Sequence, residues 1–236
     1  MNYKREGFWV RELACLAIAI FVSTPAWAQR KPIPIQPSSE SVAAATKAVT
    51  ILRAPGSYVL VRNLVDNRAG FDAVEVTASD VTIDMQGFSI IGSSGTGIGI
   101  NATGVSNVVI RDGIITGMGG GAIVTGTNAN ISGITASGNS TAGITNPPSI
   151  QAGNGSNISN NTVTTGNTGG IGCALACLVR GNVLQSNAGV GITLTDVTSG
   201  YSGNILQGND GNTVGSTGQI LGGTSIGPSV CNGTSC

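Results

Sequence analysis

The sequence predicts an all-β solenoid, a chain wound into stacked coils of short strands, and three observations carry that prediction. The first is a pair of apolar ladders. One runs Ile83, Ile110, Ile131, Ile158, Val179 and Tyr201, at spacings of 27, 21, 27, 21 and 22 residues. The other runs Ile98, Ile123, Ile144, Ile171, Ile192 and Val214, offset from the first by 15 residues once and by 13 in the other five repeats. Identically wound coils require such an offset, because each sets a residue over its equivalent about 4.8 Å away. The second observation is composition: Gly is 37 of 236 residues and only 9 % are charged. Helix surfaces favour Glu, Lys and Arg, whereas strand surface that pairs with the next coil needs few charges. Between Gly113 and Cys236 only Arg180, Asp196 and Asp210 are charged. The third is short β-branched pieces with period-two alternation, such as Val81/Ile83 and Val108/Ile110, separated by Gly, Asn, Ser and Thr turns. No single coil has enough core to stand alone, so burial comes from stacking.

Composition also limits the chemistry. The chain has no histidine, which removes Ser-His-Asp and Cys-His triads and every His-ligated metal or haem site. The 11 Lys and Arg balance 11 Asp and Glu, so a basic nucleic-acid surface is not expected. A 40 % hydrophobic content at zero net charge separates the chain from disordered polymers. Its glycines lack the strict three-residue period of collagen.

The elements follow in order. Residues 1–28 read as a secretory signal: Lys4, Arg5 and Arg11, then the apolar run Leu13 to Val22, then Ala26-Trp27-Ala28 as a cleavage site. The apolar run is shorter than the roughly 20 residues of a membrane span. The expected product is exported to the periplasm or beyond, with no membrane attachment after cleavage at Gln29. Residues 29–49 form a spacer and cap: Lys31-Pro-Ile-Pro-Ile-Gln-Pro37 is extended, and Ser39 to Val49 is a short helix with Ser39 as N-cap and Val42, Ala45 and Val49 on one face. Residues 50–222 hold about seven or eight coils, and residues 223–236 form a closing tail.

Cys15 leaves with the signal. The other four fall into close pairs, Cys173 with Cys177 and Cys231 with Cys236, and an oxidising compartment favours a disulfide in each. Buried thiols at the first pair and a C-x3-C metal site are the alternatives. Zinc would need further ligands that the neighbourhood does not supply.

The motifs Ser106-Asn-Val-Val-Ile-Arg-Asp-Gly113 and Val179-Arg-Gly-Asn-Val183 with Gly189-Val-Gly-Ile192 resemble right-handed parallel β-helix (PbH1) repeats of the pectin-lyase-like superfold. Pro55-Gly-Ser-Tyr-Val-Leu60 with Val81-Thr-Ile-Asp-Met-Gln-Gly-Phe88, and the tail Cys231-Asn-Gly-Thr-Ser-Cys236, resemble the opening and the cysteine-closed end of exported bacterial proteins of this type. The resemblance implies a single-stranded, right-handed parallel β-helix. It also implies one chemistry to weigh, calcium-dependent cleavage of uronate polymers by a lyase or epimerase, with an Arg or Lys as base beside acidic calcium ligands. Only Arg111 with Asp84 and Asp112 answers to that pattern. Calcium takes about 6–8 oxygens, and two carboxylates are a thin supply. The hydrolases of the superfold carry a catalytic His, which is absent, and Asp196 and Asp210 do not face each other in this spacing.

Stacked asparagines fall in two registers, Asn161, Asn182 and Asn204 in one and Asn139, Asn187 and Asn209 in the other; their amides are read as internal ladders. Asp84 and Arg111 each follow a first-ladder residue and are expected side by side as an ion pair. The two ladders place the long turns at 99–109 and 145–157, projecting from one corner two coils apart. The groove between them would be lined by Asn101, Thr103, Asn128, Asn130, Asn146, Gln151 and Asn154. No Trp or Tyr lies there to stack on a sugar. The functional expectation is an exported, non-catalytic β-helix with a structural or polysaccharide- or cell-surface-binding role, without a cofactor; calcium belongs only to the lyase alternative.

Overall fold

The computed structural model describes residues 32–35, 48–93, 97–140, 147–166, 168–210 and 219–236, all within one unit, Lys31–Cys236. It is a right-handed parallel β-helix of about seven turns with three faces. Face 1 is an eight-stranded sheet. Its strands are β2 (Ala48–Leu52), β5 (Asp72–Val76), β8 (Ile100–Ala102), β10 (Ile123–Thr125), β12 (Ile150–Ala152), β15 (Ile171–Cys173), β18 (Ile192–Leu194) and β21 (Ile220–Leu221). Faces 2 and 3 are two sides of one bent 16-stranded sheet. Face 2 holds β1 (Ile33–Ile35), β3 (Gly56–Leu60), β6 (Val81–Asp84), β13 (Asn157–Ser159), β16 (Leu178–Arg180), β19 (Gly200–Ser202) and β22 (Thr224–Ser225). Face 3 holds β4 (Leu64–Asp66), β7 (Ser89–Gly92), β14 (Thr162–Thr164), β17 (Val183–Gln185), β20 (Ile205–Gln207) and β23 (Val230–Cys231), which pairs with the antiparallel β24 (Thr234–Ser235). The long strands β9 (Val109–Thr116) and β11 (Asn130–Ser137) run through both faces.

The first ladder is in register throughout: Ile83, Ile110, Ile131, Ile158, Val179 and Tyr201 pair in succession, and Tyr58 extends it upstream. The second ladder holds at Ile123, Ile171 and Ile192 but is corrected elsewhere. Ile100, not Ile98, stands over Ile123. Ile150, not Ile144, follows it, and Ile220, not Val214, closes the row; Ile144 and Val214 lie outside the described residues. A third inward row was not read from the sequence: Leu64, Ile90, Ile115, Ala136, Val163, Leu184, Leu206 and Cys231. These three rows are the core. Almost every member is fully buried, and each large aliphatic side chain taken from water contributes about 1.5–3 kcal/mol.

The register moves the length variation to a different corner. Turns from face 1 to face 2 are short and near-constant: 126–129, 153–156, 174–177 and 195–199, with 103–108 slightly longer. The extra residues fall between faces 3 and 1, in the connections 138–149 and 208–219, against 117–122, 165–170 and 186–191. The two long turns expected at 99–109 and 145–157 therefore do not project as a pair. A two-residue shift along a strand keeps the alternation intact, so alternation could not tell Ile98 from Ile100.

At the start of the stack, Ile33–Ile35 of the proline-rich segment is a strand paired parallel to Tyr58–Leu60. Pro34 lacks the N–H that would invite another strand, which suits an edge. The expected capping helix at 39–49 lies mostly outside the described residues; its last two, Ala48 and Val49, belong to β2 instead. The signal segment 1–28 also lies outside them. At the other end, β22 and β23 pair with β19 and β20, so part of the tail completes a last coil.

Candidate functional site

Buried polar ladders hold the corners that carry the surface. The turn from face 2 to face 3 points asparagine side chains inward. Asn182 is fully buried. Its Oδ1 accepts from the backbone N–H and the amide of Asn161 (2.9 and 3.0 Å). Its Nδ2 donates to Ile158 O and to Asn204 Oδ1, both at 3.0 Å. The second register repeats this, with Asn187 Nδ2 donating to Asn209 Oδ1 at 2.8 Å. Two end-pieces were missed by sequence reading: Gln219 Oε1 accepts from Asn209 Nδ2 at 2.7 Å, and Ser229 Oγ accepts from Asn204 N–H at 3.2 Å.

Both disulfides form. Cys173 and Cys177, Cα atoms 6.3 Å apart, tie the turn 174–177 across the corner between faces 1 and 2, and both residues are buried. Cys173 continues the inward row from Ala152 to Leu194. Cys231 and Cys236, Cα atoms 5.3 Å apart, close the terminal hairpin.

The outer side of face 1 carries one continuous row: Glu75, Asn101, Val124, Gln151, Gly172 and Thr193. The row dips at Gly172, which has no side chain, and a cleft of about 140 Å³ opens there. Pro148, Thr168 and Val190 wall it on the side of the variable corner; Thr195 stands on the other, and Gln151 and Thr193 close its ends. A Cβ at Gly172 would lie 2.5 Å from Gln151 Oε1 and 2.7 Å from Pro148 Cγ. Thr168 and Thr195 donate their hydroxyls to the carbonyls of Pro147 (2.7 Å) and Ala174 (2.8 Å), which leaves their lone pairs as acceptors.

Two acidic residues stand at the corners flanking this part of face 1. Asp196 follows Thr195 and takes hydrogen bonds from the hydroxyls of Thr198 and Ser199. The Thr198 bond is the main reason its carboxyl titrates below the ordinary 3.8. Asp210, at the opposite corner, donates its N–H to Gly189 O at 2.9 Å, next to the Val190 wall. As the spacing implied, the two do not face each other.

The remaining expected residues are placed as follows. Asn101 lies in the outer row of face 1, where its amide donates to Asp72 Oδ2 at 2.7 Å and its Oδ1 accepts from the Thr103 hydroxyl at 2.7 Å. Asn128 and Asn154 stand in the stacked turns from face 1 to face 2, joined by an Asn128 N–H to Asn154 O bond of 2.8 Å. Asn130 is exposed on face 2, opposite Asn157. Asn146 lies outside the described residues. Of the six described residues among these, Gln151 alone lines the cleft.

Asp84 and Arg111 pair across β6 and β9 as expected, with Nη2 to Oδ2 at 2.8 Å and Asp112 3.9 Å from Nε. This cluster lies on face 2, away from the cleft. Among the described residues no group of three or more His, Cys, Asp or Glu is placed to hold a metal. The arginine side chain is 48 % exposed, so the pair is a surface bridge. Replacing Arg111 with Ala should cost under about 1 kcal/mol, and the loss should shrink at high salt. Thermal unfolding at two salt concentrations checks this; a salt-independent loss of several degrees would contradict it.

A family model described as right-handed beta helix region matches residues 51–214. No curated protein and no solved structure matches the chain. The matched span runs from β2 past β20, so it takes in most of the three inward rows, the asparagine ladders and the cleft on face 1: the chain belongs to the right-handed β-helix family.

Proposed function

We propose that this is an exported, non-catalytic β-helix protein that binds a polysaccharide or cell-surface glycan along the outer side of face 1. The observation that carries this reading is the cleft over Gly172, set on a flat, rigid sheet. Its lining has the make-up of a sugar site: an apolar rim (Pro148, Val190) and a few fixed hydrogen-bonding groups (Gln151, Thr168, Thr193, Thr195). The absence of an aromatic platform points to modest affinity per unit, offset by length along the face. Calcium-dependent cleavage of uronates has less support, because Arg111 is engaged by Asp84 at 2.8 Å on another face. Export rests on the signal-like segment 1–28 and agrees with two disulfides, which persist in oxidising compartments.

The purified protein should be retarded by at least one polysaccharide in native affinity electrophoresis against a panel of plant and bacterial polymers. Free migration in every gel would refute the binding role. Export predicts a product starting at Gln29 in periplasmic extract or medium; an uncleaved chain confined to the cytosol would refute it.

A further inference from the structure

We infer that the cleft on face 1 takes a neutral saccharide chain and discriminates against uronate polymers. This rests on the binding reading above and adds the ligand's charge class.

Among the described residues, the charged residue next to the cleft is acidic: Asp196 follows the lining residue Thr195. Farther along, four coils upstream of Gly172, the outer surface of face 1 carries Asp72 and Glu75. Of the described arginines, Arg53 and Arg68 flank the upstream strands of face 1 with Asp72 and Glu75, Arg62 lies in the first coil, and Arg111 and Arg180 are on face 2. None of them lines the cleft. A uronate chain brings one carboxylate per sugar. Seated in the cleft, such a chain would meet the Asp196 carboxylate one residue beyond Thr195, where screening over roughly 8–10 Å leaves the repulsion in force, and no described guanidinium or ammonium lines the cleft to neutralise it. Calcium bridging does not resolve the conflict, since that ion wants about 6–8 oxygens and no cluster of three acidic residues is present among the described residues.

A neutral sugar fits the same groups. The Gln151 carboxamide offers both donor and acceptor, and the threonine hydroxyls bonded to carbonyls offer acceptors, which suits hydroxyls that give and take in turn. The cleft, at about 140 Å³, is smaller than the roughly 300–1,000 Å³ of sites that enclose a whole small molecule. It therefore seats one unit of a chain, and neighbouring units lie along the outer row towards Val124 and Asn101.

Isothermal titration of the protein with neutral hexasaccharides (β-glucans and xylan) and with hexagalacturonate and an alginate hexamer, each with and without calcium, tests the inference. Two variants accompany the wild type. Gly172→Val fills the cleft floor, and Thr193→Arg places a cation at its end on an outward, solvent-facing position. At least one neutral hexamer should bind at least tenfold more tightly than either uronate. Both variants should lose at least tenfold of that affinity, and Thr193→Arg should gain affinity for uronates. Tighter uronate binding by the wild type, abolished by Gly172→Val, would overturn the charge class and leave the cleft as the site. Neutral binding untouched in both variants would overturn the cleft. No binding to any hexamer, together with free migration in every polysaccharide gel, would remove the binding reading itself and this inference with it. If Gly172→Val does not fold, Thr193→Arg alone decides between these outcomes.

Discussion

Replacing Asn182 with Ala should lower the unfolding free energy by about 4 kcal/mol and the melting temperature by about 8–16 °C. The side chain is fully buried and makes four hydrogen bonds to the two coils on either side of its own. Its loss strands the Asn161 backbone N–H, one Asn161 amide hydrogen and the Ile158 carbonyl, while Asn204 Oδ1 keeps the Asn182 backbone N–H at 2.9 Å. Each buried group left without a partner costs about 1–3 kcal/mol. Relaxation of the turn recovers part of the total, so the sum of three full penalties is not expected. Asn182→Asp should be no better, since it loses both amide donors and buries a carboxylate against the Asn204 carbonyl oxygen. Asn130→Ala, a change at an exposed asparagine one face away, should stay within about 0.5 kcal/mol. Thermal and denaturant unfolding with the disulfides intact measures all three. A loss below about 1 kcal/mol for Asn182→Ala would mean that the inner ladder is decoration on a fold held by its aliphatic rows alone.

The asparagine ladders and the first apolar ladder were legible because their residues repeat in kind and their coil spacing varies only elsewhere. Ile110 and Ile131 pair where a period of 21 places them, and Ile131 and Ile158 pair across a period of 27. The second ladder was legible only where the offset of 13 is real. In the two coils with long connections, Gly143-Ile144 and Val214 imitate the repeat inside the added residues, and assuming a constant offset carried the insertions to the wrong corner. Ile98 failed for a subtler reason, since it shares type and parity with Ile100. The third inward row was invisible because its members change in kind and volume from coil to coil, as Ile115, Ala136, Val163 and Leu184 do. The cleft depends on Gln151 standing beside Gly172 and Thr193, so it could not be found before the register of face 1 was known. Gln219 and Ser229 lie where the repeat motif has run out, and only the coil beneath them reveals them as the ends of the polar ladders.

Gly170→Val should destabilise the protein by about 3 kcal/mol, whereas Gly172→Val, two residues along the same strand, should cost under about 1 kcal/mol. Neither glycine has a left-handed backbone that would forbid a side chain, so the contrast is one of surroundings. Gly170 sits where the chain turns into β15, in the inward row with Gly99, Ala122, Ser149 and Gly191. A Cβ there would lie 2.4 Å from Leu184 Cδ2 and 2.5 Å from the Gly191 carbonyl oxygen. The leucine can rotate away, but that carbonyl accepts the Ile171 N–H at 2.8 Å. Making room for the side chain pulls apart an inter-coil hydrogen bond at the centre of face 1. At Gly172 the close atoms are the end of the Gln151 side chain and the ring of Pro148, both on the solvent side, where they can give way. Melting temperatures of the two variants decide the matter. The reverse order, with Gly172→Val damaging and Gly170→Val tolerated, would mean that face 1 is turned over, with Gln151, Gly172 and Thr193 inside, and the cleft would vanish with the register that defines it.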